Sequence, residues 1–255
     1  MNGKVIEASA ISKAYTAGKV STPVLNDVDL CVRAGECLLL TGPSGSGKTT
    51  LLSIIGCLLT PNSGQLDIFG RNVLTMSPAE RAELRLRRIG FVFQRLHLFA
   101  GLRAWENIRV ALDLLGRPAS AAREESQRLL EIAGIGDRAD QRTSEMSMGQ
   151  RQRVAIARAL AADPDLILAD EPTASLDAEA GQKAMTVFRQ LCTDFGKTVV
   201  IVTHDPRTYP FADRILSLSE GRIAANHTAA PRSSAHAPRP PVQLEELACT
   251  AGGLR

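Results

Sequence analysis

The residues with the most distinctive chemistry form the stretch GPSGSGKT, residues 42–49, between an apolar run and a helical pattern. The spacing G-x-x-x-x-G-K-[ST] is typical of a loop whose backbone N–H groups wrap phosphates, with a helix dipole behind it. We expect Lys48 to reach the β and γ phosphates and Thr49 to ligate Mg²⁺. The other residues expected to contact the nucleotide here are Gly42, Pro43, Ser44, Gly45, Ser46, Gly47 and Thr50.

Two acidic residues end the apolar run LILADE, residues 166–171. A carboxylate at the end of a buried strand is costly unless it meets a cation, so Asp170 is expected to order Mg²⁺ directly or through water. Glu171 follows at once and is the candidate general base for an attacking water. The alternative is an acidic pair that caps the next turn, an interpretation that the phosphate loop makes less attractive.

His204 and Gln94 also follow apolar runs, TVVIV and GFVF. Parallel strands present functional groups at their carboxyl ends, so His204 can bond the γ phosphate or hold Glu171 and water in line. Its alternative is an ordinary structural histidine. Gln94 opens a helical block and can touch Mg²⁺ or water. The candidate catalytic residues are Lys48, Gln94, Glu171 and His204.

A second small-residue turn, MSMGQ at residues 146–150, precedes an arginine-rich helical pattern. Its helix N-terminus and the Ser147 hydroxyl can hold an anion. The plain alternative is a helix N-cap, which we take to need Ser147 but neither Gly149 nor Gln150. Since a compact chain has no obvious way to fold this turn over its own phosphate loop, the anion is expected to be a γ phosphate held by another subunit.

Tyr15 lies in a polar loop between two early strand patterns. Its ring can stack on an adenine base. The alternative is a surface tyrosine that packs on the small sheet.

Hydrophobic periodicity predicts an α/β fold. Continuous apolar runs at residues 36–41, 88–93, 165–170 and 198–205 predict buried parallel strands, and the alternation in VDLCV, residues 28–32, predicts a half-exposed antiparallel strand. Helices are expected from Thr49 to about Leu59 and from a capping box of Ser77, Pro78 and Glu80. A helical subdomain is expected at about residues 95–162, and the folded domain at 1–225, with a disordered tail at 226–255.

Composition narrows the function classes. Thirty basic and 27 acidic residues leave a net charge of +3, too little to indicate a nucleic-acid face. The five cysteines have no zinc-binding spacing and read as core thiols of a reducing compartment. With neither a signal-peptide pattern nor a run of about twenty apolar residues, the chain is expected to be soluble and cytoplasmic.

Together these residues resemble the ATP-binding subunit of an ABC transporter over about residues 3–225. GPSGSGKT resembles Walker A, LILADE Walker B, MSMGQ the LSGGQ signature and ASLD, residues 174–177, the D-loop. Gln94 resembles the Q-loop glutamine, His204 the switch histidine and Tyr15 the adenine-stacking A-loop. The resemblance implies a P-loop NTPase core with a mostly parallel sheet, an N-terminal antiparallel β subdomain and an inserted helical subdomain.

The resemblance also implies a mode of action. ATP with Mg²⁺ would be bound in a head-to-tail homodimer, between Walker A of one copy and Ser147, Gly149 and Gln150 of the other, with Asp177 at the junction. Hydrolysis would drive an integral-membrane permease through residues 95–108, placing the chain peripherally on the cytoplasmic side of the inner membrane. Connecting segments are similar to the macrolide-export, lipoprotein-release and DevA-type exporters, which often work with a membrane-fusion protein.

Two matters stay open at this level. Met148 stands where the signature has glycine, and its side chain would crowd the turn if the backbone there required positive φ. The alternative functions are ATP-driven gating of a membrane protein without transport and, with no basic block to support it, an ABC ATPase of nucleic acid or ribosomes. The transported substrate is not encoded in these residues.

Overall fold

The computed structural model describes residues 3–18 and 20–228 of the chain. The strands are β1 Lys4–Ala17, β2 Val20–Arg33, β3 Cys37–Thr41, β4 Ser63–Ile68, β5 Arg71–Asn72, β6 Ile89–Val92, β7 Leu166–Asp170, β8 Thr198–Val202, β9 Arg214–Ser219 and β10 Arg222–Thr228. The α-helices are α1 Lys48–Ile55, α2 Pro78–Arg88, α3 Ala104–Leu114, α4 Ala119–Ile132, α5 Met148–Ala159 and α6 Ala178–Thr193. In this part of the chain, no helix combines the length and the apolar content that a membrane crossing requires.

The larger sheet has six strands in the order β10-β9-β3-β8-β7-β6. The neighbours from β9 to β6 are parallel, and β10 pairs antiparallel with β9. The central strands β3 and β8 are buried at every position, as their continuous apolar runs predicted. Because parallel strands end at the same edge, the loops after β3, β6, β7 and β8 meet there.

The smaller sheet is antiparallel, with the order β2-β1-β4-β5. Buried and exposed positions alternate along β2 from Val28 to Val32, so the predicted half-exposed strand is confirmed. The inner face of the smaller sheet packs on α1 and on one face of the larger sheet. The residues in this core include Ile6 of the smaller sheet and Leu38 and Val200 of the larger sheet. The opposite face of the larger sheet, with Leu39 and Ile201, packs on α5 and α6. The sheet therefore has a covered core on both sides.

The expected helical subdomain consists of α3, α4 and α5 with short 3₁₀ turns. Buried Asn107 holds the loop before α3, because its amide donates to the carbonyls of Phe99 and Arg103. Arg158 in α5 donates to the carbonyls of Leu96 and His97, both at 2.6 Å. The two Arg158 bonds therefore join the segment after Gln94 to α5, the helix that follows the turn at residues 146–150.

Two boundaries differ from the sequence expectations. Helix α1 ends at Ile55 rather than near Leu59, because Cys57 adopts a left-handed φ of 56° that no α-helix continues. Strand β10 runs past residue 225 to Thr228, with Asn226 paired to Leu216. Main-chain pairing explains this extension, since an edge strand needs few apolar side chains. The remainder of the predicted tail, residues 229–255, lies outside the described residues.

Candidate nucleotide site

The loop of residues 42–49 joins β3 to α1 at the edge where the parallel strands end. Gly42 has a φ of 142°, and a Cβ there would lie 2.0 Å from the carbonyl oxygen of Leu218. Both the backbone conformation and the space therefore require glycine. Gly47 is the N-cap residue of α1, so the free N–H groups of that helix lie at the loop.

Lys48 lies across this loop. Its Nζ donates to the carbonyl oxygens of Gly42 at 2.9 Å and Pro43 at 2.8 Å, and the residue is buried. Ser46 is also buried, and its Oγ has no hydrogen-bond partner among the described residues. A buried hydroxyl without a partner beside an ammonium group and helix N–H groups fits a polyanion such as a triphosphate.

A cavity of about 870 Å³ opens over the loop. It is lined by Tyr15, Val24, Pro43, Ser44, Gly45, Gly47, Lys48, Thr49, Thr50, Gln94, Glu171 and His204. The fold thus brings together the two candidate acid–base residues, the lysine and the tyrosine, from four separate parts of the chain. Tyr15 is half exposed, with the Lys13 ammonium 5.9 Å from its ring centroid. Gly42 and Ser46 lie in the loop without lining the cavity.

Thr49 and Asp170 form the candidate metal site. The Thr49 hydroxyl donates to Asp170 Oδ1 at 3.1 Å. Burial raises the pKa of the Asp170 carboxyl, opposed by the Thr49 bond, and the neighbouring Glu171 charge raises it further. The negative charge of Asp170 is therefore only partly stabilised by its surroundings. A carboxylate of this kind next to a hydroxyl fits a divalent cation that prefers oxygen ligands.

Glu171 and His204 form a close pair at the end of β7 and just after β8. Glu171 Oε1 lies 2.8 Å from His204 Nδ1. The Glu171 side chain is 12% exposed and that of His204 67% exposed, so the carboxylate is shielded and the imidazole reaches solvent. Glu171 has a φ of 48°, a strained conformation for this residue type, and its buried Oε2 has no partner among the described residues. This is suitable geometry for a base that receives a proton from water.

The turn at Ser147 begins α5 with a complete capping box. Gln150 N donates to Ser147 Oγ at 3.2 Å, and Ser147 N donates to Gln150 Oε1 at 2.9 Å. A Cβ on Gly149 would lie 2.8 Å from the Cβ of Ala180 in α6. The expectation that a plain N-cap needs neither Gly149 nor Gln150 is therefore wrong, because both have structural roles in this chain.

Asp177 caps the neighbouring helix, since Ala180 N donates to its Oδ1 at 2.8 Å. The contact between Gly149 and Ala180 thus places the N-termini of α5 and α6 side by side. None of Ser147, Gly149, Gln150 and Asp177 lines the cavity around Lys48. These four residues form a separate surface, which we call the helix-tip surface.

Comparison with known proteins decides the family. A family model described as "ABC transporter" matches residues 25–174, more than half of the chain. The chain belongs to the ABC transporter family. The macrolide export ATP-binding/permease protein MacB of Shewanella sp. (strain W3-18-1) is 41% identical over 234 residues, which cover 91% of this chain and 36% of that relative. MacB 1/2 of Paracoccus denitrificans is 43% identical over 228 residues, 89% of this chain and 34% of the relative.

Solved ABC cassettes share the fold. The dimeric structure of MJ0796, a bacterial ABC transporter cassette, has a TM-score of 0.83 and 37% identity, covering 89% of this chain and all of that one. A dimeric post-hydrolysis state of MJ0796 bound to ADP and Pi has a TM-score of 0.82 and 36% identity. The predicted P-loop NTPase fold and the resemblance to macrolide exporters are confirmed, and the chain is an ATP-binding cassette of this family. It spans about a third of the length of the curated relatives.

The turn at residues 146–150, the candidate signature turn, accommodates the Met148 side chain. Met148 is the first residue of α5, does not adopt positive φ, and is 38% exposed. The condition under which its side chain would crowd the turn is therefore not met.

Sequence reasoning missed Val24 as a cavity residue, because nothing local distinguishes a valine in an exposed strand. It also missed the side chains that surround Asp205, which are described below.

Proposed function

We propose that this chain hydrolyses ATP as a head-to-tail homodimer and thereby powers export or extraction of a substrate by a transmembrane permease. The observation that carries the proposal is the separation between the cavity at Lys48 and the helix-tip surface of the same chain. The N-terminus of α5, which has no acidic residue in its first turn and does not line the cavity of its own chain, is suited to an anion held by a second copy. The resemblance to the dimeric MJ0796 cassettes supports this arrangement.

In the proposed reaction, Glu171 accepts a proton from the attacking water through its buried Oε2. His204 orients Glu171 and the γ phosphate, while Lys48 balances phosphate charge and the signature serine of the second copy donates a hydrogen bond to a phosphate oxygen. A magnesium ion held by Thr49, Asp170 and Gln94 would neutralise charge on the phosphates. Tyr15 would stack on the adenine.

The test is Glu171→Gln in the full chain. Loss of the base should reduce turnover by about a thousandfold or more while ATP still binds, so that an ATP-bound dimer accumulates. Gel filtration with light scattering measures the dimer, and phosphate release measures turnover. Glu83→Gln, at an exposed position on α2, is the matched control and should remain as active as the parent chain. A Glu171→Gln chain that stays monomeric with ATP and keeps full turnover would refute the proposal.

The proposed permease contact is the segment of residues 95–108. Phe99 is 51% exposed there, in a loop that Asn107 holds by main-chain bonds. Arg158 connects this segment to α5, so we expect a displacement of the loop to be transmitted to the signature turn at the start of that helix. The curated relatives carry "ATP-binding/permease" in their names, which supports an integral-membrane permease as the partner. We infer that this chain lies peripherally on the cytoplasmic side of the inner membrane, with a membrane-fusion protein as a further partner.

Phe99→Ala tests this contact. It should leave the ATPase activity of the isolated chain unchanged and abolish its co-purification with the permease. Leu114→Ala, which removes another exposed apolar side chain of the subdomain, is the control and should retain the permease. Equal retention by both variants would contradict the assignment of the contact.

A further inference from the structure

Asp205, the residue after His204, is held by an unusually large number of bonds. Arg207 Nε lies 2.9 Å and 3.0 Å from the two carboxylate oxygens, and Arg207 NH2 lies 2.9 Å from Oδ2. The Arg207 backbone N–H donates to Oδ1, which makes Asp205 the cap of the 3₁₀ turn Pro206–Phe211. Capping the turn requires only the bond from the Arg207 backbone N–H. The bonds from the forked guanidinium group of Arg207 therefore need another explanation.

A fourth donor, the Thr173 hydroxyl, connects Asp205 to the segment after β7. Thr173 Oγ1 donates to Asp205 Oδ2 at 3.2 Å, and Thr173 is 2% exposed. Thr173 lies two residues after Glu171, and Asp205 lies one residue after His204. The carboxylate therefore joins the backbones that carry the two partners of the Glu171–His204 pair.

The charge of Arg207 is stabilised by these bonds. The pKa of Arg207 is raised, first by its side-chain bond to Asp205 and then by the charge of that carboxylate. Arg207 therefore keeps its positive charge beside Asp205, the residue that follows the switch histidine.

The Glu171–His204 pair needs such support. The left-handed φ of Glu171 persists only where surrounding contacts determine it, and His204 is mostly exposed on its own loop. A small displacement of a catalytic group lowers the rate strongly, since reacting atoms must approach within a few tenths of an ångström of the productive geometry.

We propose that Arg207 is a positioning residue, which acts through Asp205 and Thr173 to hold His204 against Glu171. This inference rests on the proposed role of Glu171 as the base. It assigns Arg207 no contact with the nucleotide. A loss of Arg207 should therefore lower kcat and leave the KM for ATP nearly unchanged.

The experiment compares Arg207→Ala, Arg207→Lys and Thr173→Val in the full chain. We expect about a tenfold lower kcat for Arg207→Ala with KM within about twofold, partial recovery for Arg207→Lys, and a smaller loss for Thr173→Val. Lysine keeps the positive charge beside Asp205 but loses the planar fork of the guanidinium group. Arg87→Ala, which removes an exposed arginine–glutamate pair on α2, is the matched control and should keep the parent kcat.

Thermal unfolding of each variant separates positioning from stability. A lower kcat at an unchanged Tm supports the proposal. An unchanged kcat in Arg207→Ala, or a loss of kcat that follows a falling Tm across all three variants, overturns it. If Arg207→Ala does not fold, the lysine and valine variants decide by the same criteria. Failure of the Glu171→Gln trap would instead refute the proposed function, whatever the result at Arg207.

Discussion

Helices α2 and α5 begin with the same local motif and differ in what their N-termini can bind. At α2, Ser77 N donates to Glu80 at 2.8 Å and Glu80 N donates to Ser77 Oγ at 3.2 Å. At α5 the equivalent distances between Ser147 and Gln150 are 2.9 Å and 3.2 Å. The backbone geometry of a capping box therefore does not distinguish an ordinary helix start from a proposed nucleotide contact.

The charge of the third residue in each helix, Glu80 in α2 and Gln150 in α5, does distinguish the two helix starts. Glu80 places a carboxylate at the positive end of α2, whereas the first turn of α5 has no acidic residue. A neutral glutamine satisfies the cap and leaves the helix dipole uncompensated, so that an anion from outside is favoured. The comparison teaches that the side chain completing a cap also decides whether a helix end remains available to phosphate.

Among changes at these two caps, Gln150→Glu should have the largest effect. It preserves the capping box but adds a negative charge at the end of α5 where the phosphate is expected, and two unit charges about 5 Å apart repel by about 3 kcal/mol at an effective dielectric constant of about 20. We expect roughly a hundredfold loss of ATP-dependent dimer formation and turnover with Tm unchanged, measured by light scattering and phosphate release. Glu80→Gln is the reciprocal control and should not alter turnover. Full activity of Gln150→Glu would show that α5 meets no phosphate.

Ser147→Ala and Ser77→Ala should separate stability from function. Each removes an N-cap and should reduce the free energy of unfolding by about 1 kcal/mol. Only Ser147→Ala should also lower turnover, by about tenfold, since it removes a hydroxyl expected at the γ phosphate. Denaturant titrations give the first quantity and steady-state assays the second. Equal turnover in both variants would place Ser147 in the same structural class as Ser77.

Met148→Gly should have little effect on turnover. Because Met148 is helical and half exposed, restoring the glycine of the family signature relieves no strain. We expect turnover within about twofold of the parent, with a slightly less stable helix. A several-fold faster enzyme would instead show that the methionine side chain obstructs closure of the dimer.

The smallest expected difference lies in the pH dependence of the two caps. Bonds from the backbone and side chain of Ser77 lower the pKa of Glu80 below its ordinary value of 4.5. A lowered carboxyl pKa contributes stability above that value, and the contribution is lost as pH falls through the folded-state pKa. The destabilisation by Glu80→Ala should thus shrink between pH 6 and about pH 3, whereas that by Gln150→Ala should not change. Unfolding titrations across this range measure both.

Local spacing was sufficient for a large part of the site. The phosphate loop, the acids that end β7 and the Ser77 capping box depend on residues within a few positions of each other, and each was predicted where the structure has it. The second capping box was predicted only in part, because Gln150 was assigned to a nucleotide alone. A cap with glutamine has the same sequence signature as one with glutamate, so that role was available from the sequence.

The strand order decided the rest. Tyr15 and Lys48 line one cavity because the antiparallel sheet packs over α1, and Glu171 bonds to His204 because β7 and β8 are neighbours in the larger sheet. The contact of Gly149 with Ala180 and the link from Thr173 to Asp205 join residues far apart in sequence. The sequence by itself determined which chemistry the chain carries, since backbone loops and helix ends are local. Only the tertiary structure decided which groups act together, because side-chain distances between elements follow from packing and not from spacing along the chain.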